Sequence, residues 1–171
     1  GVVLDTPAAL AVDSSCHQRD ARLVLFDASL EQWLPGSSGG LGVDTYSIET
    51  ECMSATMAPS VFREWEVSQF KGLADALLSA GIGVLACQKL VDPWLSDYLR
   101  QRGVSVLSRL SLRHVEHVQR LSGATRVTSL ASLPERWEEV CGVIGPIERR
   151  TVCERTYTVL GCPARGSSPG A

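Results

Sequence analysis

Few residues in this 171-residue chain stand at spacings that support chemistry. Cys87 and Lys89 close an apolar run, Ile82-Gly83-Val84-Leu85-Ala86-Cys87. Open α/β sheets place their sites at the ends of such strands. A desolvated Lys89 amine or a Cys87 thiolate would there serve a small-molecule enzyme. The plainer reading has Lys89 leaving the sheet for solvent. His114 and His117 lie three apart and share a helical face, a metal-ligand spacing that lacks a third ligand nearby. Surface histidines are the simpler account. Cys16 and His17 are adjacent, and neighbouring side chains diverge, so they make a poor nucleophile–base pair. Phosphate loops (GxxxxGK[ST], GxGxxG) and the GxSxG elbow are missing. The cysteines at 16, 52, 87, 141, 153 and 162 show no CxxC spacing, which argues against a zinc ribbon or thioredoxin site. Their even number permits disulfides, but a domain of this size does not need them. Reduced thiols in the cytosol are the preferred reading.

The aromatic residues are more informative. Leu95 and Leu99 mark one stripe of a helix, and Trp94 and Tyr98 mark the stripe beside it. A short helix rarely buries both, and an exposed Trp/Tyr stripe is adhesive toward apolar polypeptide. Met53, Met57, Val61, Phe62 and Trp65 scatter around a second axis. That segment reads as a mobile apolar protrusion, with flexible methionines suited to promiscuous contact. In both places ordinary core packing is the competing account.

The elements that must position these residues follow from pattern. Arg22–Asp27 is a near-continuous apolar run, the mark of a doubly buried strand. Pro35–Gly40 is a loop, and Asp44–Thr50 alternates as a half-exposed strand would. A helix is predicted from Pro59 to about Ala80, with Val67, Phe70, Leu73, Ala74, Leu77 and Leu78 facing the core and Gly81 stopping it. A strand follows at 82–87. Asp92 caps a helix that begins at Pro93 and ends at Gly103. Then come a strand at 104–107, a helix from Ser111 to about Leu121 stopped by Gly123, and a short strand at 126–128. A turn or short helix spans 133–139. Strands at 140–144 and 156–160 flank a charged connection, Glu148-Arg149-Arg150. The alternation predicts right-handed βαβ units and a parallel sheet between helices, with β-rich ends able to pair.

Composition narrows the partners. The length suits one globular domain. A net charge of −3 leaves no positive field for nucleic acid. No run approaches the roughly 18 apolar residues of a membrane helix. The N-terminus lacks Met and a basic leader and reads as a cut inside a longer protein. Residues 163–171 are small, polar and expected to be disordered.

The order of segments resembles the apical domain of group II chaperonins. The features that carry it are Gly1-Val2-Val3-Leu4-Asp5, Ala21–Glu31 and, most specifically, GVLACQKLVDPWLSDYLRQRGVSVL, followed by Ser122-Gly123-Ala124-Thr125. The match runs to about Cys162. Leu90-Val91-Asp92-Pro93, Ser129–Leu133 and the Met/Ser/Ala-rich protrusion, short of its usual Lys/Glu, are similar to the divergent chaperonin-like proteins of the McKusick–Kaufman and Bardet–Biedl group. A divergent subunit of the cytosolic chaperonin is the alternative. The resemblance implies an α/β apical domain over 1–162 with a helical protrusion. It also implies polypeptide binding at Asp92–Arg102 and the neighbouring long helix, no cofactor in this segment, and ATP and magnesium handled in domains outside it. Client polypeptides (subunits of the ciliary coat complex) and sister chaperonin-like subunits are the implied partners. The cytosol, centrosome and basal body are the implied locale.

The sequence therefore predicts a client-binding module without a catalytic step. Its binding residues would be Trp94, Leu95, Tyr98, Leu99 and Arg102 with Met53, Met57, Phe62, Trp65 and Phe70. Arg100 and Arg102 would add charge selectivity at the rim.

Overall fold

A computed structural model describes residues 1–5, 9–11, 19–31, 59–131 and 133–164. The loop at 35–40, the strand expected at 44–50, Met53 and Met57, Cys16-His17 and the tail from 165 lie outside them. The described elements are β1 (Val2–Leu4), β2 (Ala21–Phe26), α1 (Pro59–Ser79), β3 (Ile82–Cys87), α2 (Pro93–Gln101), β4 (Ser105–Leu107), α3 (Leu112–Ser122), β5 (Arg126–Val127), a 3-10 turn (Trp137–Glu139), β6 (Gly142–Ile144), β7 (Ile147–Val152) and β8 (Arg155–Leu160).

The βαβ alternation produces the parallel sheet it predicts, in the order β4-β3-β2-β5. β3 pairs with β2 along Arg22–Phe26 and takes one edge of it. The other edge is shared end to end. β5 pairs in parallel with Leu25 and Phe26, and β6 pairs antiparallel with Ala21–Leu23. Gly142 of β6 lies where a Cβ would meet the Ser122 carbonyl and the Ala124 amide, so only glycine lets the end of α3 come this close.

β2 is buried on both sides, and its period of two splits it between two cores. Val24 and Phe26 face one cluster, with Phe70, Leu73, Ala74 and Leu77 of α1, Leu95 and Leu99 of α2, and Trp137. Leu23 and Leu25 face the other, with Val115 and Val118 of α3 and with Leu4, Ile147 and Leu160. Helices α1 and α2 therefore lie on one face of the sheet. Helix α3 and a second sheet lie on the other.

The second sheet, β1-β8-β7, is antiparallel and joins the two ends of the chain, as the β-rich termini suggest. Here one expectation fails. Glu148-Arg149-Arg150 is strand, not connection: β7 runs from Ile147 to Val152, and only Ile147 is buried. An edge strand with both faces in water tolerates charge, and its pattern does not alternate. The hairpin turns at Cys153 and Glu154, both at positive φ (48° and 64°), as a primed two-residue turn demands.

Local signals set the helix ends. Asp92 Oδ1 accepts the Trp94 amide at 2.8 Å, with Pro93 at the first helical position. Ser111 Oγ accepts the His114 amide, and Gly123 at φ 74° ends α3 in the left-handed region that glycine enters without strain. Near the C-terminus, the Ala164 amide donates to Asp20.

Candidate functional site

The capping carboxylate of Asp92 has a second role. Arg63 of α1 donates to both its oxygens, at 2.9 and 3.1 Å, and reaches Glu66 at 2.6 Å. Asp92 and Glu66 are buried, while the Arg63 side chain is 45% exposed. Asp92, then Glu66, hold the guanidinium pKa above its ordinary value. One planar cation thus locks the N-terminal part of α1 to the N-cap of α2, a geometry a lysine does not reproduce.

Aromatic side chains stand on either side of this lock. Phe62 and Trp65, within one turn of Arg63, pack ring on ring at 5.8 Å and are half-buried. Trp94 and Tyr98 stack at 4.9 Å with 23° between planes and are half-buried too. Such pairs contribute about 0.5–1.5 kcal/mol beyond burial. The Tyr98 hydroxyl donates to Asp75 of α1 at 3.1 Å, a second tie between the helices. Arg102, one turn further along, lays its guanidinium 3.5 Å from the centre of the Tyr98 ring. The result is a continuous ladder of Trp94, Tyr98 and Arg102, with its outer surface in water. Among the described residues, no other face presents stacked rings to solvent.

The structure divides the predicted site residues. Trp94, Tyr98 and Arg102 come together on α2, and Phe62 and Trp65 pair on α1; all five are part-exposed or exposed. Leu95, Leu99 and Phe70 do not belong with them. Each is 0% exposed and faces the sheet, so these three are core, and a bound chain would not touch them. Met53 and Met57 lie outside the described residues. Arg63, Glu66 and Asp75 were missed. The i,i+3 spacing of Arg63 and Glu66 was visible in the sequence. Their partners on α2 were not.

The residues of the enzyme reading are placed otherwise. Cys87 is buried and donates to the Ala28 carbonyl at 3.3 Å. Burial pushes its thiol up to about 12, so at neutral pH it is protonated and no nucleophile. Lys89 is exposed. His114 Nδ1 lies 3.4 Å from Asp5 Oδ1, and the described residues hold no cluster of three potential metal ligands. A cleft of about 550 Å³ is lined by Val2, Val3, His117 and Arg120 and one of about 490 Å³ by Asp5, Arg155 and Tyr157; Cys87 and Lys89 line neither. Cys87, Cys141, Cys153 and Cys162 are free thiols. Among the described residues, no helix is long and apolar enough to cross a membrane.

Comparison with known proteins decides the family. Residues 17–169 match the TCP-1/cpn60 chaperonin family. The chain belongs to that family. Its relatives include thermosome subunit alpha of Thermoplasma acidophilum, 25% identical over 84% of this chain and 24% of the relative. The alpha subunit of Methanothermobacter thermautotrophicus is 24% identical over 69% of this chain and 22% of the relative. This chaperonin chain therefore spans about a quarter of their length. In fold it is similar to the open-state monomer of a group II chaperonin from Methanococcoides burtonii, with a TM-score of 0.53 and 16% identity. That match covers 94% of this chain and 32% of the other.

Proposed function

We propose that this chaperonin domain is the polypeptide-binding, or apical, domain of its parent protein. It holds exposed apolar segments of folding or assembling proteins against the outer faces of α1 and α2. The observation that carries this reading is the stacked, half-exposed Trp94–Tyr98 pair on α2, with the Phe62–Trp65 pair on α1, on helices locked by a part-buried ion pair. Rigid rings offer contact area at little entropic cost. Because the area is small, capture is weak and tolerant, as release of a client requires. No bond is made or broken in this step. ATP and magnesium bind in parts of the parent outside this segment, and sister subunits assemble with it.

The test is the pair of substitutions Trp94→Ala and Tyr98→Ala, with binding to reduced, carboxymethylated α-lactalbumin measured by anisotropy. Weakening of ten-fold or more, with the circular dichroism spectrum and cooperative melting retained, supports the reading. Unchanged binding, or loss of the fold, overturns it.

The run GVLACQKLVDPWLSDYLRQRGVSVL and the segment Leu90-Val91-Asp92-Pro93 support a finer placement. The parent is a chaperonin-like protein of the McKusick–Kaufman and Bardet–Biedl group, acting in the cytosol and at the basal body on subunits of the ciliary coat complex. Affinity capture of the full-length protein from ciliated cells tests this. Recovery of coat-complex subunits supports it, and recovery of the cytosolic chaperonin ring in their place reassigns the parent to that ring.

A further inference from the structure

Arg100 and Arg102 sit two positions apart at the end of α2 yet have different company. Arg100 is occupied: its Nε donates to the Leu10 carbonyl at 2.9 Å, and it pairs with Asp97 at 3.3 Å. Arg63, Arg136 and Arg150 also have carboxylate partners. Arg102 forms no ion pair among the described residues. Its contacts are the Tyr98 ring at 3.5 Å and one Nη1 bond to the Tyr98 carbonyl at 3.3 Å. It is exposed, and the ring holds it in place. The remaining donors of its planar fork face water at the end of the Trp94–Tyr98 stack. Asp75 is the acidic group closest in bonding terms, across the Tyr98 hydroxyl.

We infer that Arg102 is a specificity-determining residue of the aromatic surface. It selects extended polypeptide segments in which a carboxylate lies beside aromatic or aliphatic side chains. This rests on the polypeptide-binding reading above and names its client class. The carboxylate receives a charge-assisted, bidentate contact from the free side of the guanidinium while the neighbouring apolar group covers Trp94 and Tyr98. The guanidinium is already ordered by stacking, so little entropy is lost on binding. The field of the whole chain points the other way. A net charge of −3 favours basic partners at long range. A preference for acidic segments therefore requires a local cation at the contact.

The test uses three fluorescent 15-residue peptides with the same Leu and Phe positions and Glu, Ser or Lys between them. Their Kd values for the intact chain are measured by anisotropy. The Glu peptide should bind about 3- to 5-fold tighter than the Lys peptide, an exposed-pair magnitude that shrinks as salt rises. Arg102→Gln should erase this ratio, with the Glu peptide losing more affinity than the Ser or Lys peptide. Asp75→Asn, which keeps an acceptor for the Tyr98 hydroxyl, should widen the ratio. Equal binding of all three peptides, a preference for Lys, or an acidic preference that survives Arg102→Gln overturns the inference while leaving the polypeptide-binding reading in place. If none of the three binds, that reading fails, and the inference fails with it.

Discussion

Helices α2 and α3 share one local plan and differ in what covers them. Each opens on a capping side chain, Asp92 or Ser111, and each buries two apolar residues, Leu95 and Leu99 or Val115 and Val118. Over α3 lies the second sheet, and its outward positions carry Arg113, Glu116 and Arg120, all exposed, with Leu112 exposed at its first turn. The outward positions of α2 carry Trp94 and Tyr98. The fold asks only for the buried stripe, and α3 shows that an outer face without aromatic rings satisfies it. The inner sides of Trp94 and Tyr98 pack against the helical core, and it is their water-facing sides, which the core does not use, that the proposed function takes as contact surface.

The caps sharpen this comparison most strongly. Ser111 accepts one amide, and Ser111→Ala should lower stability by about 1 kcal/mol. Asp92 accepts the Trp94 and Leu95 amides and both Arg63 bonds. Asp92→Ala should cost about 2–3 kcal/mol, below the full penalty for breaking a buried pair because Arg63 is 45% exposed. Urea titrations of both variants check the order. Equal losses would mean that the lock between α1 and α2 contributes nothing beyond the cap.

A smaller asymmetry lies under the helices. The Cys87 thiol faces the α1/α2 layer, and burial raises it from 9.0 to about 12. Only the unfolded chain ionises it between those values. The contribution is therefore complete below pH 9 and is lost as pH rises through that window, amounting to about 1.4 kcal/mol at pH 10. Cys87→Ala should flatten the decline in stability between pH 8 and 10 by that amount. Identical slopes for the two proteins would place the alkaline sensitivity elsewhere, with Cys141, pushed up to about 11, the next group to change.

What could be read in advance depended on range. Caps, stops and doubly buried strands are decided within a few residues, and Asp92, Pro93, Ser111, Gly123 and the 22–27 run announce them. β7 escaped because an edge strand in water has no apolar alternation to display. The two stripes of α2 were legible, but which one the sheet would cover was not. That depends on how α1 lies beside it, and Arg63 meets Asp92 from 29 positions away in the chain. The site residues that failed, Leu95, Leu99 and Phe70, failed for this reason: they are apolar on the correct helices but on the inward side.

The smallest effect separates ring from hydroxyl on the α2 surface. Tyr98 contributes a stacked face to Trp94 and Arg102 and a single exposed bond to Asp75. Tyr98→Phe keeps the first and removes the second. It should cost at most about 0.5 kcal/mol, the range of a surface substitution, and leave capture of unfolded α-lactalbumin within two-fold. Trp94→Ala with Tyr98→Ala should weaken that capture ten-fold or more. If the lone hydroxyl proves decisive, α2 holds its partners through the Asp75 contact. The ladder would then be a structural brace, and α2 would differ from α3 in packing rather than in purpose.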